Sequence, residues 1–283
     1  GCFMKREEYP ITVKGQKTGP AMLTVYQIDN ISVAPEKKRP MVVICAGGGY
    51  SRLSDREKEP ILLKFLSWGC SACLLEYSVA PNEFPVSLME LASAVALIRS
   101  HGTEWQIDPD KIVTCGCSAG GHLAGSLGVF WNREFVFGSL GLPPEEIRPN
   151  GQILCYPVIT SGEKAHRESF EMLLGSKIQE EGMLELVSLE KQVTSQVPNT
   201  FIWHTVPDAT VPVENSLLFS QALAKEGVSF EMHIFPVGGH GLSLATEETA
   251  GMGDWMLEPY CGSWISMAKA WMELNFGCCS MRQ

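Results

Sequence analysis

Apolar runs of strand length alternate with segments of helical length along most of the chain. The stretch RPMVVICAGGGY, residues 39–50, is apolar and closes on three glycines, which predicts a buried strand running into a turn. EPILLKFLSWGC (59–70) reads as a helix and SACLLEYSVAP (71–81) as the next strand. PVSLMELASAVALIRSHGTEW (85–105) carries apolar residues at three- and four-residue steps, so it predicts an amphipathic helix beginning just after Pro85. KIVTCGCSAGG (111–121) is a β-branched strand entering a Gly-rich turn, and HLAGSLGVFW (122–131) continues it as a helix. Further on, NGQILCYPVIT (150–160), NTFIWHTVPDATVPV (199–213) and SFEMHIFPVGGHG (229–241) each read as a strand followed by a loop. VENSLLFSQALAKEG (213–227) supplies the helix between the last two.

This alternation predicts an α/β fold: a mostly parallel central sheet, helices on both faces and right-handed crossovers. Residues 1–34, with ITVKG and AMLTVYQI, predict an antiparallel hairpin at one edge. No repeat, low-complexity tract or linker divides the chain, so residues 1–283 read as one domain. The charged segment 161–197 breaks the rhythm between the sixth and seventh strands. Its position suits a cap over a pocket, and a solvated helical excursion is the competing reading.

The chemistry concentrates at Gly116-Cys117-Ser118-Ala119-Gly120, a serine flanked by glycines between a strand and a helix. Such an elbow lifts one hydroxyl into the open, and the glycines permit close approach of strand and helix. A serine nucleophile needs a base, and the base an orienting carboxylate, in the chain order Ser, acid, His. Asp208 and His240 each follow a strand, in that order, so both are expected on the same sheet edge as Ser118. Asp254, the nearest rival acid, comes after His240 and breaks the order. His101, His166, His204 and His233 fit structural or solvated roles better, and His122, one turn past Ser118, fits a packing or pocket-wall position. CAGGGY (45–50) follows an earlier strand, where backbone N–H groups can converge on a developing oxyanion, with the Ala119 N–H as a second donor. Cys117, preceding the serine, is expected to point beneath the sheet as packing.

Together these features resemble the α/β-hydrolases, in particular bacterial esterases related to acetylxylan esterases and the hormone-sensitive-lipase group. AGGGY, LLEYSVAP, GCSAGGHLA, WHTVPDATVPVENSL and PVGGHGLSLA carry the resemblance over roughly residues 40–245. The chain departs from the family's H-G-G-G at Ala46-Gly47-Gly48-Gly49, which removes a bracing side chain but no N–H donor. The resemblance implies oxyanion donors at Gly48, Gly49 and Ala119, and a serine carboxylesterase that needs no metal or organic cofactor. Tyr50 and Tyr77 are expected near the catalytic edge, where hydroxylated rings could hold a sugar. The expected substrate is a short-chain, foremost acetyl, ester of a small or carbohydrate alcohol. The alternatives are an acyltransferase with the same triad, a serine peptidase, or a non-catalytic binding module. Peptidases of this fold usually carry a large extra domain that 283 residues would not hold, and a binding module is expected to lose a triad member.

Charge and cysteine usage narrow the partners. Lys and Arg number 22 against 32 Asp and Glu, a formal net charge of −10 with no basic run, which argues against nucleic acid and anionic membranes. No apolar run approaches the roughly 20 residues needed to span a bilayer, and no apolar h-region opens the chain. Gly1-Cys2-Phe3 ahead of Met4 reads as a cloning remnant or as the trace of a trimmed signal peptide. Of the ten cysteines, Cys45, Cys73, Cys115 and Cys155 lie in or beside apolar strand-like runs, and the Cys70/Cys73 pair lacks a second pair to complete a metal set. Reduced, structural thiols and a cytoplasmic location are the expectation.

Overall fold

The computed structural model describes residues 4–277; Gly1–Phe3 and the Cys278-Cys279 tail lie outside the described residues. The first half of the chain runs β1 (Met4–Ile11), β2 (Ala21–Ile28), β3 (Arg39–Cys45), α1 (Glu59–Ser67), β4 (Ser71–Glu76), α2 (Val86–Ser100), β5 (Ile107–Cys117) and α3 (Ala119–Phe130). It continues through α4 (Glu134–Leu140), α5 (Pro144–Ile147), β6 (Gly151–Cys155), α6 (Arg167–Leu174), α7 (Met183–Leu186) and β7 (Asn199–Thr205). α8 (Glu214–Lys225), β8 (Phe230–Phe235), α9 (Pro259–Gly262) and α10 (Trp264–Phe276) complete it.

One eight-stranded sheet orders these as β1-β2-β4-β3-β5-β6-β7-β8. The β1/β2 and β2/β4 pairs are antiparallel and every other pair is parallel, as the alternation predicted. Strand period two divides the apolar residues between two layers. Met41, Val43 and Cys45 of β3 face α2, α3 and α8, while Val42 and Ile44 face α1 and α10. Filling both layers explains why the central strands read as unbroken apolar runs. Cys45 and Cys73 join the first layer, and Cys70, Cys115, Cys117 and Cys155 the second, all as buried free thiols.

One local expectation needs revision, and one open alternative narrows. The first strand is MKREEYPI rather than ITVKG: β1 is an exposed edge strand whose polar residues hide its period, and residues 14–15 form the turn beyond it. Segment 161–197 is not simply a solvated excursion. Phe170, Leu173, Leu174, Val187 and Leu189 are buried in the layer around α3, and the Leu189 amide donates to Ile159 O at 3.0 Å.

The chain order turns around at β3, which has β4 on one side and β5 on the other. Ligands of open α/β sheets bind beyond the carboxyl ends of strands at such a reversal. The loops leaving β3 and β5 there are the Gly47–Gly49 turn and Ser118. No helix among the described residues is long and apolar enough to cross a membrane.

Candidate active site

Ser118 sits between β5 and α3 at φ 55°, ψ −118°, a left-handed conformation that a non-glycine residue adopts only when its surroundings enforce it. The surroundings do so from both sides. The Ser118 amide donates to Cys155 O at 2.9 Å, and its carbonyl accepts from the Val158 and His122 amides at 3.0 and 3.1 Å. The flanking glycines are steric necessities: a Cβ at Gly116 would collide with the Gly120 carbonyl, and one at Gly120 with the Cys45 carbonyl. The turn directs Cys117 into the opposite layer, 1% exposed. Burial pushes its thiol well above the ordinary cysteine range, so the nucleophilic thiolate is disfavoured.

Ser118 Oγ lies 2.8 Å from His240 Nε2, and His240 Nδ1 lies 2.7 Å from Asp208 Oδ2. These contacts fit one tautomer: Nδ1–H donates to the carboxylate, leaving Nε2 to accept the serine proton. The Asp208 loop follows β7 and the His240 loop follows β8, and Thr205 Oγ1 ties the two by donating to Gly238 O at 2.9 Å. Burial pushes the Asp208 carboxyl upward, but the adjacent His204 imidazole, the His240 hydrogen bond and the Val211 amide outweigh it and hold the group well below the usual carboxylate range. The Thr210 and Val211 amides occupy Oδ1, both at 2.9 Å.

Gly48, Gly49, Ser118 and His240 line one cavity of about 450 Å³. A Cβ at Gly48, where φ is 140°, would collide with the Arg52 carbonyl, so this close turn requires glycine. Ala119 is the first residue of α3, where amides have no intrahelical acceptor and the helix dipole favours negative charge. The arrangement thus offers a hydroxyl, a base to deprotonate it and a turn able to receive an oxyanion.

Tyr50 and Tyr77 were expected along the pocket and lie beneath it instead, and of the two readings of His122 the packed one holds. The Tyr50 hydroxyl and His122 Nδ1 are 2.8 Å apart, and His122 Nε2 donates to Val187 O at 2.8 Å. The Tyr77 hydroxyl donates to Ala46 O at 2.5 Å, bracing the glycine turn where the family's histidine is missing. The positions of Tyr50 and Tyr77 after strand ends were legible, but not that their rings turn inward, to 2% exposure. Burial lowers the His122 pKa from 6.5 to about 4, so folding favours its neutral form. The resulting stability is fully present above pH 6.5 and drains as pH falls towards 4, by about 3 kcal/mol in all. Urea unfolding at several pH values should show this limb, and His122→Asn should flatten it.

Residues that sequence reasoning gave no role also meet here. His204 is fully buried, lies 3.3 Å from Asp208 Oδ2, and donates through Nε2 to Val211 O at 2.8 Å. Arg52, Arg56, His166 and Glu168 give the cavity a polar wall, and Trp255, 63% exposed, and Met256 add apolar surface. The placement of His166 and Glu168 brings the 161–197 segment to the cavity.

The fold and the site define a class, and comparison with known proteins agrees. The family model described as BD-FAE matches residues 30–146, and that of the prolyl oligopeptidase family matches residues 160–259. An acetyl ester-xyloside bifunctional hydrolase from Caldicellulosiruptor lactoaceticus superposes with a TM-score of 0.78 at 36% identity, covering 91% of this chain and 89% of that one. The chain belongs to the α/β-hydrolases. It is 39% identical over 223 residues to endo-1,4-beta-xylanase B of Butyrivibrio fibrisolvens, covering 75% of this chain and 34% of the relative. It is 27% identical to the acetylxylan esterase of Xylanibacter ruminicola, covering 72% and 41%. The chain therefore spans less than half the length of these two curated relatives.

Proposed function

We propose that this chain is a serine carboxylesterase that removes short acyl groups, acetyl foremost, from small or carbohydrate alcohols. The observation that carries the reading is the hydrogen-bonded Ser118–His240–Asp208 chain beside Gly48 and Gly49. His240 Nε2 takes the Ser118 proton as Oγ attacks the ester carbonyl. The Gly48, Gly49 and Ala119 amides hold the resulting oxyanion. The tetrahedral adduct collapses as His240 returns the proton to the departing alcohol, leaving an acyl-serine. Water, deprotonated by His240, attacks that ester, and the acid leaves with Ser118 regenerated. Asp208 keeps His240 in the required tautomer and stabilises its cation.

The acyl preference is supported by the polar wall of Arg52, Arg56, His166 and Glu168, which offers little shelter to a long alkyl chain. In the proposed reading segment 161–197 caps the site through His166 and Glu168. Trp255 takes over the sugar-holding part first given to Tyr50 and Tyr77, because its ring is exposed at the cavity. The relatives named above, one an acetylxylan esterase and another an acetyl ester-xyloside hydrolase, support an acetylated carbohydrate as substrate.

A confined acyl slot gains about 0.8 kcal/mol per buried methylene until it is full, after which strain opposes the gain. Across nitrophenyl esters of increasing acyl length, kcat/KM should peak between acetyl and butyryl and fall steeply by octanoyl. A maximum at octanoyl or beyond would contradict the short-acyl reading.

A further inference from the structure

Glu57 is a carboxylate beside the candidate site that the relay of Ser118, His240 and Asp208 does not use. It closes the short helical turn Asp55–Glu57 between the glycine turn and α1, borders the cavity and is 3% exposed. A carboxylate so placed must have its lone pairs satisfied by fixed donors. Glu57 Oε1 accepts the Gly47 amide at 3.1 Å, one residue ahead of Gly48 and Gly49. Glu57 Oε2 accepts the Tyr156 hydroxyl at 2.5 Å.

Tyr156 carries the connection to the catalytic base. Its hydroxyl accepts the Ser243 amide at 3.0 Å, three residues past His240. Its ring meets the His240 imidazole edge-on, with centroids 5.2 Å apart and an interplanar angle of 72°. The turn holding Glu57 grips the same two loops through its backbone and Arg56. The Ser54 amide donates to Gly47 O at 2.8 Å, and Ser243 Oγ donates to Arg56 O at 2.8 Å. Arg56 Nη1 donates to Gly241 O at 2.8 Å. The space a Cβ would fill at Gly47 is bounded by Cys117 O, Glu57 Oε1 and Ser118 Cβ at 2.7, 2.9 and 3.0 Å. Glycine at 47 therefore lets the carboxylate, the elbow and the oxyanion turn converge.

We infer that Glu57 is a positioning residue that sets the glycine turn and His240 relative to Ser118, a role that rests on the serine-esterase reading. The chemistry demands a carboxylate. The Tyr156 hydroxyl has one proton, and because its other neighbour, the Ser243 amide, is a donor, that proton goes to Glu57. Glu57 must then accept from both Tyr156 and Gly47. A glutamine has one acceptor oxygen, so its amide nitrogen would face either a second donor or a phenol whose proton is left buried and unpaired.

The test compares Glu57→Gln, Tyr156→Phe and the double variant of the full chain on nitrophenyl acetate, with unfolding midpoints and fluorophosphonate labelling rates. Glu57→Gln should lower kcat roughly 100-fold, the scale of an ångström-level misplacement, and leave KM within about threefold. Tyr156→Phe keeps the Gly47 bond and should lower kcat about tenfold. The double variant should be no worse than Glu57→Gln, because removing the phenol removes the unpaired proton. Labelling should slow in step with kcat, since the probe needs the same geometry. A Glu57→Gln protein with kcat within about threefold of the parent, or one changed only in KM or melting temperature, would overturn the role. Should Glu57→Gln not fold, Tyr156→Phe decides alone: an unchanged kcat overturns it. A parent protein that neither turns over nor labels would remove the esterase reading itself.

Discussion

Ser118→Ala is expected to lower kcat by on the order of 10⁶, to the level left by binding and oxyanion stabilisation alone. The Ser118 hydroxyl has His240 Nε2 as its hydrogen-bond partner, so deleting it should hardly move the unfolding midpoint. Cys117→Ala is the matching control one residue away. It should remain active within a few-fold and lose about 1 kcal/mol of stability to a small cavity in the layer facing α1 and α10. Steady-state rates and urea unfolding on the two variants separate the neighbours. Activity surviving in Ser118→Ala, or a folded but inactive Cys117→Ala, would reassign the nucleophile.

Asp208→Asn should lower kcat by on the order of 10⁴ with KM little changed. Of all the carboxylates in the described residues, Asp208 has Oδ2 against His240 Nδ1, and its Oδ1 is fixed by the Thr210 and Val211 amides. Those two amides are donors, so an asparagine would keep its oxygen on them and turn its NH₂ towards His240. Nδ1 would then have to accept, and the proton would move to Nε2, where it blocks removal of the serine proton. The prediction is read from kcat of the folded variant. A loss below about tenfold would show that Asp208 does not set the tautomer.

The sequence was most informative where backbone geometry demands particular residues. Ser118 between Gly116 and Gly120 was readable because a strand-to-helix elbow that packs carbonyls against those positions tolerates no Cβ. Asp208 and His240 were readable from chain order and from their places after apolar runs. The strand β1 was less so, because an edge strand exposed on both faces has no apolar alternation to reveal it. Side-chain direction at strand ends also escaped: Tyr50 and Tyr77 turn inward to brace the floor, and Trp255, in a stretch with no period of its own, is at the cavity. The Glu57–Tyr156 bond joins residues 99 apart in sequence, and neither has a local pattern pointing to the other. His204 was legible as the end of a strand, but its approach to Asp208 depends on the loop folding back to Val211.

Whether Ser118 is the activated nucleophile is tested most directly by treating the protein with a fluorophosphonate, digesting it and locating the adduct by mass spectrometry. One phosphonyl group per chain, carried on Ser118 and absent from Ser118→Ala, is the expected result. An adduct on any other residue, or no adduct on the folded protein, would contradict it.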